Sequence, residues 1–362
     1  MSMESSGELV GKPDWSRARR AWEDWWQRKG LALFVTAPRE TPLFAADAPD
    51  SADLRTRWLD PDHRVRRHLH TVANTFYGGV AYPMFDTQIG PGSLGLFLGC
   101  GGELAETTVW YEPVITDPDH CPALSFRPEG YWWERHVEVM DEAVRRAEGR
   151  YLVSIPDLIE NLDTLAQLRG PQEVLYDIVD RPAWVERAIW EINDAFKACY
   201  DLLWERVRDR WGGSCWSAFQ VWGVGKVAKV QCDICCAISP AAFRRFVQPA
   251  LADQCAWLDR SIFHLDGTQA MPQLDNLLSI EALDAIEWTP QAGIPGGGAP
   301  EWYELYRRVL SAGKSVQAIG VGYDEVLPLL DATGPDGMLI MTSAPSEQAA
   351  RDLLNRVGWR TL

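Results

Sequence analysis

His264 and Asp266 stand two residues apart in the segment Ser261-Ile-Phe-His-Leu-Asp-Gly267, at the end of an apolar run. In an extended strand residues i and i+2 point to the same face, so the imidazole and the carboxylate can converge on one metal ion or one substrate. The preceding apolar run, Val227-Ala-Lys-Val-Gln-Cys-Asp233, ends in Cys232 and Asp233. A regular strand can present only one of these to the same site. With Cys232 as third ligand, a His, a carboxylate and a thiolate suit Zn2+. Without a metal, the same His and carboxylate form a hydrogen-bonded pair that orients a substrate.

Two more carboxylates end apolar runs: Asp86 after Tyr-Pro-Met-Phe, and Asp157 after Val-Ser-Ile-Pro. Each can accept from a substrate hydroxyl, amide or ring N–H, and each can equally be a turn or helix-capping residue. Asp86, Asp233 and His264 are therefore the catalytic candidates. His264, Asp266 and Cys232 are the metal candidates, and Asp157, Asp86 and Trp288 face substrate. Cys235 and Cys236, just past the strand, read better as packing residues, and a lone CxxC is a weak metal or redox signal.

These positions require parallel strands whose C-terminal ends meet. Short β-branched runs recur at 32–37, 80–85, 151–155, 227–233, 262–266, 285–288, 316–321 and 338–341, separated by segments of helical spacing. That rhythm predicts an α/β fold, a (β/α)8 TIM barrel, in which side chains at the strand ends build the site. A further run at 215–222 reads as a strand or a hairpin arm. Helices are expected over 183–210, 240–258 after a Ser239 cap, 300–312, and from Ser346 onward. The chain is expected to be one domain over 1–362, with a helical extension at 1–30. Residues 90–128 form an insertion over the mouth, and the Gly-rich stretch 293–298 a loop at the site.

A net charge of −16 argues against nucleic acid or an anionic membrane as partner. The start has no basic-then-apolar leader and no run long enough to span a bilayer, so a cytoplasmic protein is expected, its eight cysteines mostly reduced. The Trp clusters at 22, 25 and 26 and at 132 and 133 read as packing before ligand binding. There is no phosphate loop, GxGxxG, HExxH or GxSxG, which removes the usual support for nucleotide-dependent transfer, zincin and serine-hydrolase chemistry.

The segment Gln231-Cys-Asp-Ile-Cys-Cys-Ala-Ile-Ser-Pro-Ala-Ala-Phe-Arg-Arg-Phe-Val-Gln-Pro249 resembles the uroporphyrinogen decarboxylase superfamily: a strand-ending Asp, Ser-Pro, an aromatic, and a Pro about ten residues on. Ser261 to Gly267 is similar to the next strand, where the zinc-dependent methyltransferase branch carries His-x-Cys-Gly. Tyr82 to Asp86, Gly313 to Val316 and Leu339 to Pro345 fall where other strands of that barrel would. The resemblance implies cofactor-free decarboxylation or zinc-assisted methyl transfer with a corrinoid carried by a partner protein, and a homodimer. The decarboxylases' Arg-rich RQAGR loop has only Pro38-Arg39-Glu40 to match it. Of the methyltransferase ligands only His264 matches. Asp266 stands for the first Cys and Thr342-Ser343 lies near the second, so the site is either rebuilt from Asp266 and Cys232 or metal-free. The leading expectation is a methyltransferase-like enzyme using zinc at His264, Asp266 and Cys232 on a small methylated metabolite. The alternatives are a metal-free lyase with a small carboxylated substrate, and a non-catalytic binding barrel.

Overall fold

The computed structural model describes residues 8–50 and 52–359. Its strands are β1 (Ala32–Pro38), β2 (Thr75–Gly79), β3 (Met84–Phe85), β4 (Gly101–Leu104), β5 (Val109–Glu112), β6 (Leu152–Val153), β7 (Gly213–Cys215), β8 (Trp222–Val224), β9 (Val227–Val230), β10 (Arg260–Asp266), β11 (Ala285–Thr289), β12 (Ser315–Ala318) and β13 (Met338–Ser343). The main sheet has seven strands in the order β2-β1-β13-β12-β11-β10-β9. It is parallel throughout, except that β2 lies antiparallel on β1. β3 and β6 form a separate parallel pair, and β4–β5 and β7–β8 are antiparallel hairpins.

Each of the eight expected strands thus has a counterpart, but the hydrogen bonding departs from a simple ring of eight. After helix Pro61–Asn74 the chain runs back along β1, so β2 occupies the edge that β3 was expected to take. Short β3 and β6 then pair with each other, and Ile155 makes one parallel bridge to Trp216. The run at 215–222 is a hairpin: Phe219 and Gln220 both adopt left-handed φ (59° and 51°), which turns the chain from β7 into β8.

Strands β10 to β13 are joined by helical segments, as successive parallel strands require. Helix Pro182–Val207 buries a stripe from Trp184 to Val207. The expected helix at 240–258 is broken by a π turn at Phe243–Val247, ahead of Gln248–Trp257. Pro249 has no N–H to offer the preceding turn, which accounts for the shifted register. Ser239 caps as expected, accepting from Ala242 N (3.2 Å), and Ser346 caps the last helix, accepting from Ala349 N (3.1 Å).

The N-terminal helix is Trp15–Trp26, and residues 1–7 of the expected extension lie outside the described residues. Its Trp25 Nε1 donates to Gly337 O (2.9 Å), Trp26 Nε1 to Trp222 O (2.9 Å) and Trp22 Nε1 to Val80 O (3.0 Å). All three rings are buried. They seat the helix against the N-terminal ends of the strands, away from the ends that carry the polar candidates. Among the described residues no helix is long and apolar enough to cross a membrane.

Candidate functional site

β10 and β11 pair in register, His264 opposite Glu287 and Asp266 opposite Thr289. Residues opposite each other on parallel strands share a face, so these side chains line one surface at the C-terminal ends. His264 Nδ1 lies 2.6 Å from Glu287 Oε2, and Glu287 is wholly buried. Thr289 donates to the other Glu287 oxygen at 2.7 Å. This fixes the imidazole ring and leaves Nε2 facing Asp233, 3.9 Å away. Asp233, His264 and Asp266 offer ligand atoms that all lie within 4.8 Å of one another.

The third member of the group is Asp233 and not Cys232. Lys229, Gln231 and Asp233 follow each other at alternate positions, so Cys232 falls on the opposite side, where it is 1% exposed inside the hydrophobic core. Burial pushes the Cys232 thiol well above its usual range. The same parity removes Trp288 from the site. It lies next to Glu287 in β11 but faces away, against Trp302 at 5.0 Å.

Asp157 forms a buried ion pair with Lys229 (2.8 Å), which also contacts the Gln231 amide oxygen. Burial alone would lower the Lys229 amine, but Asp157 and Glu160 outweigh it and the amine is raised. Asp86 serves its own loop, accepting from the backbone and amide N–H groups of Gln88 at 3.0 Å each. Burial raises its carboxyl, opposed by Arg64. Neither Asp86 nor Asp157 joins the His264 group among the described residues.

A row of groups unnoticed in the sequence supports Asp233. Asp163 accepts from the backbone N–H of Asp233 (2.7 Å) and of Ile234 (3.0 Å). Gln231 Nε2 bridges Asp163 Oδ2 (2.8 Å) and Asp233 Oδ2 (3.0 Å). Behind them Glu160, wholly buried, accepts from Gln231 N at 2.5 Å. It is flanked by Ile159 and Asn161, both at φ 57°, a strained loop that needs these contacts to persist. The alternation Lys-x-Gln-x-Asp was the available signal. For Glu287 it was an acid inside an otherwise apolar strand.

Asp233 is pushed up to about 6, first by loss of water and then by the Asp163 charge, although 47% of its side chain remains open. Burial would lower His264, but its hydrogen bond to Glu287 and the charge of that carboxylate raise it. Burial pushes Glu160 well above the carboxylate range, toward the neutral acid. Of the cysteines beside the site, Cys235 is buried and Cys236 exposed, and all eight are free.

Two cavities of about 470 Å3 each flank the group. One is lined by Asp163, Gln231 and Asp233 together with Trp110 and Tyr111 of the β4–β5 hairpin. The other lies at the ends of β1, β12 and β13. Phe219, which lines this second cavity, rests its ring on His264, with centroids 4.8 Å apart.

No protein-family model matches the chain, and no curated protein matches it in sequence. Among solved structures it is similar to a methyltransferase from Methanosarcina mazei, with TM-score 0.58 and 10% identity over 94% of this chain and 97% of that one. At that identity the likeness is one of fold.

Proposed function

We propose that this chain is a methyltransferase-like enzyme of the uroporphyrinogen decarboxylase superfamily, its strands forming an eight-stave barrel with a divalent metal, zinc first, at Asp233, His264 and Asp266. The observation that carries the reading is the convergence of these donors around an imidazole whose other nitrogen is held by buried Glu287. Metal-bound histidines characteristically hand that second nitrogen to a carboxylate, which sets the tautomer and the ring plane. The donor set fits a hard or borderline divalent cation, since it has two carboxylates and no thiolate. Both carboxylates are exposed, which leaves room for substrate beside them.

A cation held there would supply Lewis acidity, lowering the pKa of a thiol or water presented to it. The chain's own residues do the rest. Glu287 keeps Nδ1 occupied so that Nε2 faces the site, and Asp163 and Gln231 hold Asp233. In the transfer the acceptor loses its proton to solvent through the open side and supplies the electron pair of the new bond to carbon. The donor, a small methylated metabolite or a corrinoid on a partner protein, keeps the pair of the broken bond. We place the reaction in the cytoplasm.

The test is metal content of the purified protein beside His264→Ala, Asp266→Ala and Asp233→Ala. About one equivalent of zinc in the wild type, lost in all three, supports the reading. No metal even after reconstitution overturns it. One observation favours a second reading, a metal-free lyase: Asp233 near 6 is a proton donor suited to neutral pH beside a His that can relay protons. Turnover that survives chelation would select it.

A further inference from the structure

We propose that the cavity at the ends of β1, β12 and β13 is a binding chamber for an uncharged small organic molecule, and that phosphorylated or otherwise anionic ligands are excluded from it. The proposal deepens the methyl-transfer reading, by giving the chemical class of one substrate.

The cavity opens on the same face of the sheet as His264. Glu287 pairs with Gln317, Gln317 with Leu339, Phe34 with Met341 and Thr36 with Ser343, so one face runs from the acidic group to the cavity. Phe34, Phe219, Tyr323 and Met341 give the cavity an apolar wall, and none of its lining residues has a charged side chain. The polar side chains are neutral: the hydroxyls of Thr36, Tyr323, Thr342 and Ser343 and the amide of Gln220. Thr36 Oγ1 and Ser343 Oγ lie 3.2 Å apart, and one hydrogen bond between them leaves one O–H and free lone pairs for a ligand. An ion pressed against this wall would meet no opposite charge to replace the water it gives up.

In parallel α/β barrels the loops after the last two strands, with the start of a short helix, commonly hold a phosphate group. In this chain the glutamate of that turn already occupies the place: Glu325 Oε2 accepts from Gly322 N at 2.7 Å. The Gly-rich loop makes room for it. A Cβ at Gly298 would stand 2.4 Å from Glu325 Oε2, and one at Gly297 would stand 2.0 Å from Ile319 O. The backbone N–H that would receive an anion is thus taken by an anion from the chain.

Phe219 lines this chamber and its ring rests on His264. Its left-handed backbone is pinned by Gln317 Nε2 donating to Phe219 O (2.9 Å), while Tyr82 Oη donates to Gln220 O (3.0 Å).

The experiment uses the full chain with 13C-methyl methionine, the Met341 methyl signal being identified by its loss in Met341→Leu. Isopropanol, inorganic phosphate and tetramethylammonium are titrated separately. The expected result is a saturable shift of the Met341 signal with isopropanol, at least fivefold weaker binding of both ions, and stronger phosphate binding in Glu325→Gln than in the wild type. The absence of a saturable shift with isopropanol, or tighter binding of either ion by the wild type, overturns the proposal. The readout needs neither metal nor turnover. Isopropanol binding in a protein that takes up no zinc would therefore sink the metal reading and leave the chamber standing.

Discussion

Replacement of Glu287 separates orientation of His264 from mere burial of an acid. In Glu287→Gln the amide oxygen can still accept from Nδ1–H, so the ring stays placed while the charge is lost. In Glu287→Ala both are lost, and Nδ1 is left without the partner that holds it at 2.6 Å. Loss of such a supporting group costs metal affinity about 10- to 100-fold, or about 1.4–2.7 kcal/mol. The Gln variant should fall near the lower figure and the Ala variant near the upper. The pH dependence carries a second check. Glu287 raises His264, so in the wild type protons compete with metal for the imidazole to a higher pH than in either variant. The ratio of wild-type to variant affinity should therefore grow from pH 6 to pH 8. Competition against a chromophoric zinc chelator reads both quantities, with circular dichroism to verify the fold. Equal zinc affinity in all three folded proteins at pH 8 would refute the assignment of His264 as a ligand oriented by Glu287.

Burial pushes His68 and His136 each down to about 3, so they stay neutral when folded, whereas the unfolded chain takes up those protons near pH 6.5. Their contribution is complete above about pH 6.5 and is lost as pH falls toward 3, by up to about 1.4 kcal/mol per unit for each. His68→Phe should flatten the fall of Tm between pH 6 and 4, and an unchanged slope would show that His68 is not the acid-sensitive group. Asp163→Ala removes the acceptor of two backbone N–H groups and of Gln231, and should cost about 1–3 kcal/mol in urea unfolding, with weaker zinc binding. An unaltered midpoint would mean that water replaces the carboxylate. Gly297→Ala meets a carbonyl that cannot rotate away, so about 1–3 kcal/mol of strain should lower Tm by several degrees. A wild-type Tm would show that the two loops do not pack this closely.

How much was legible varied with the kind of signal. β10 to β13 are short runs rich in apolar residues, and their places along the chain follow from that local pattern. The strand-end rule also found His264 and Asp266, because a period of two needs no tertiary knowledge. β2 went unread because Thr-Phe-Tyr-Gly-Gly looks like a turn, and only its pairing with β1 makes it a strand. Trp288 ends the run at 285–288 and so stands out in the sequence, whereas Glu287 lies inside it. Which of the two faces His264 depends on the register of β10 on β11, and no local feature of the sequence states it. Cys232 was taken as a ligand for its chemistry, whereas Lys229, Gln231 and Asp233 already occupied the alternate positions of a single face. Their polarity in an otherwise apolar run was the better guide.

The charges around His264 make a cation more than a convenience. Lys229 offsets Asp157, and the imidazole offsets Glu287 when it holds its proton. Burial keeps Glu160 toward its neutral form. What remains is Asp163, Asp233 and Asp266, close enough that mutual repulsion contributes to the rise of Asp233 to about 6. Asp163 is satisfied by backbone and amide N–H donors, but Asp233 and Asp266 face solvent. Two acids left facing each other in this way would be stabilised by a divalent ion and, without one, only by protons. A cation at that place would return Asp233 toward the ordinary carboxylate range. Zinc should accordingly release protons as it binds, in an amount that falls as the pH is raised from 6 to 8, and calorimetry in buffers of different ionisation enthalpy measures that number directly. Binding with no proton release at pH 6 would mean that neither Asp233 nor His264 is a ligand.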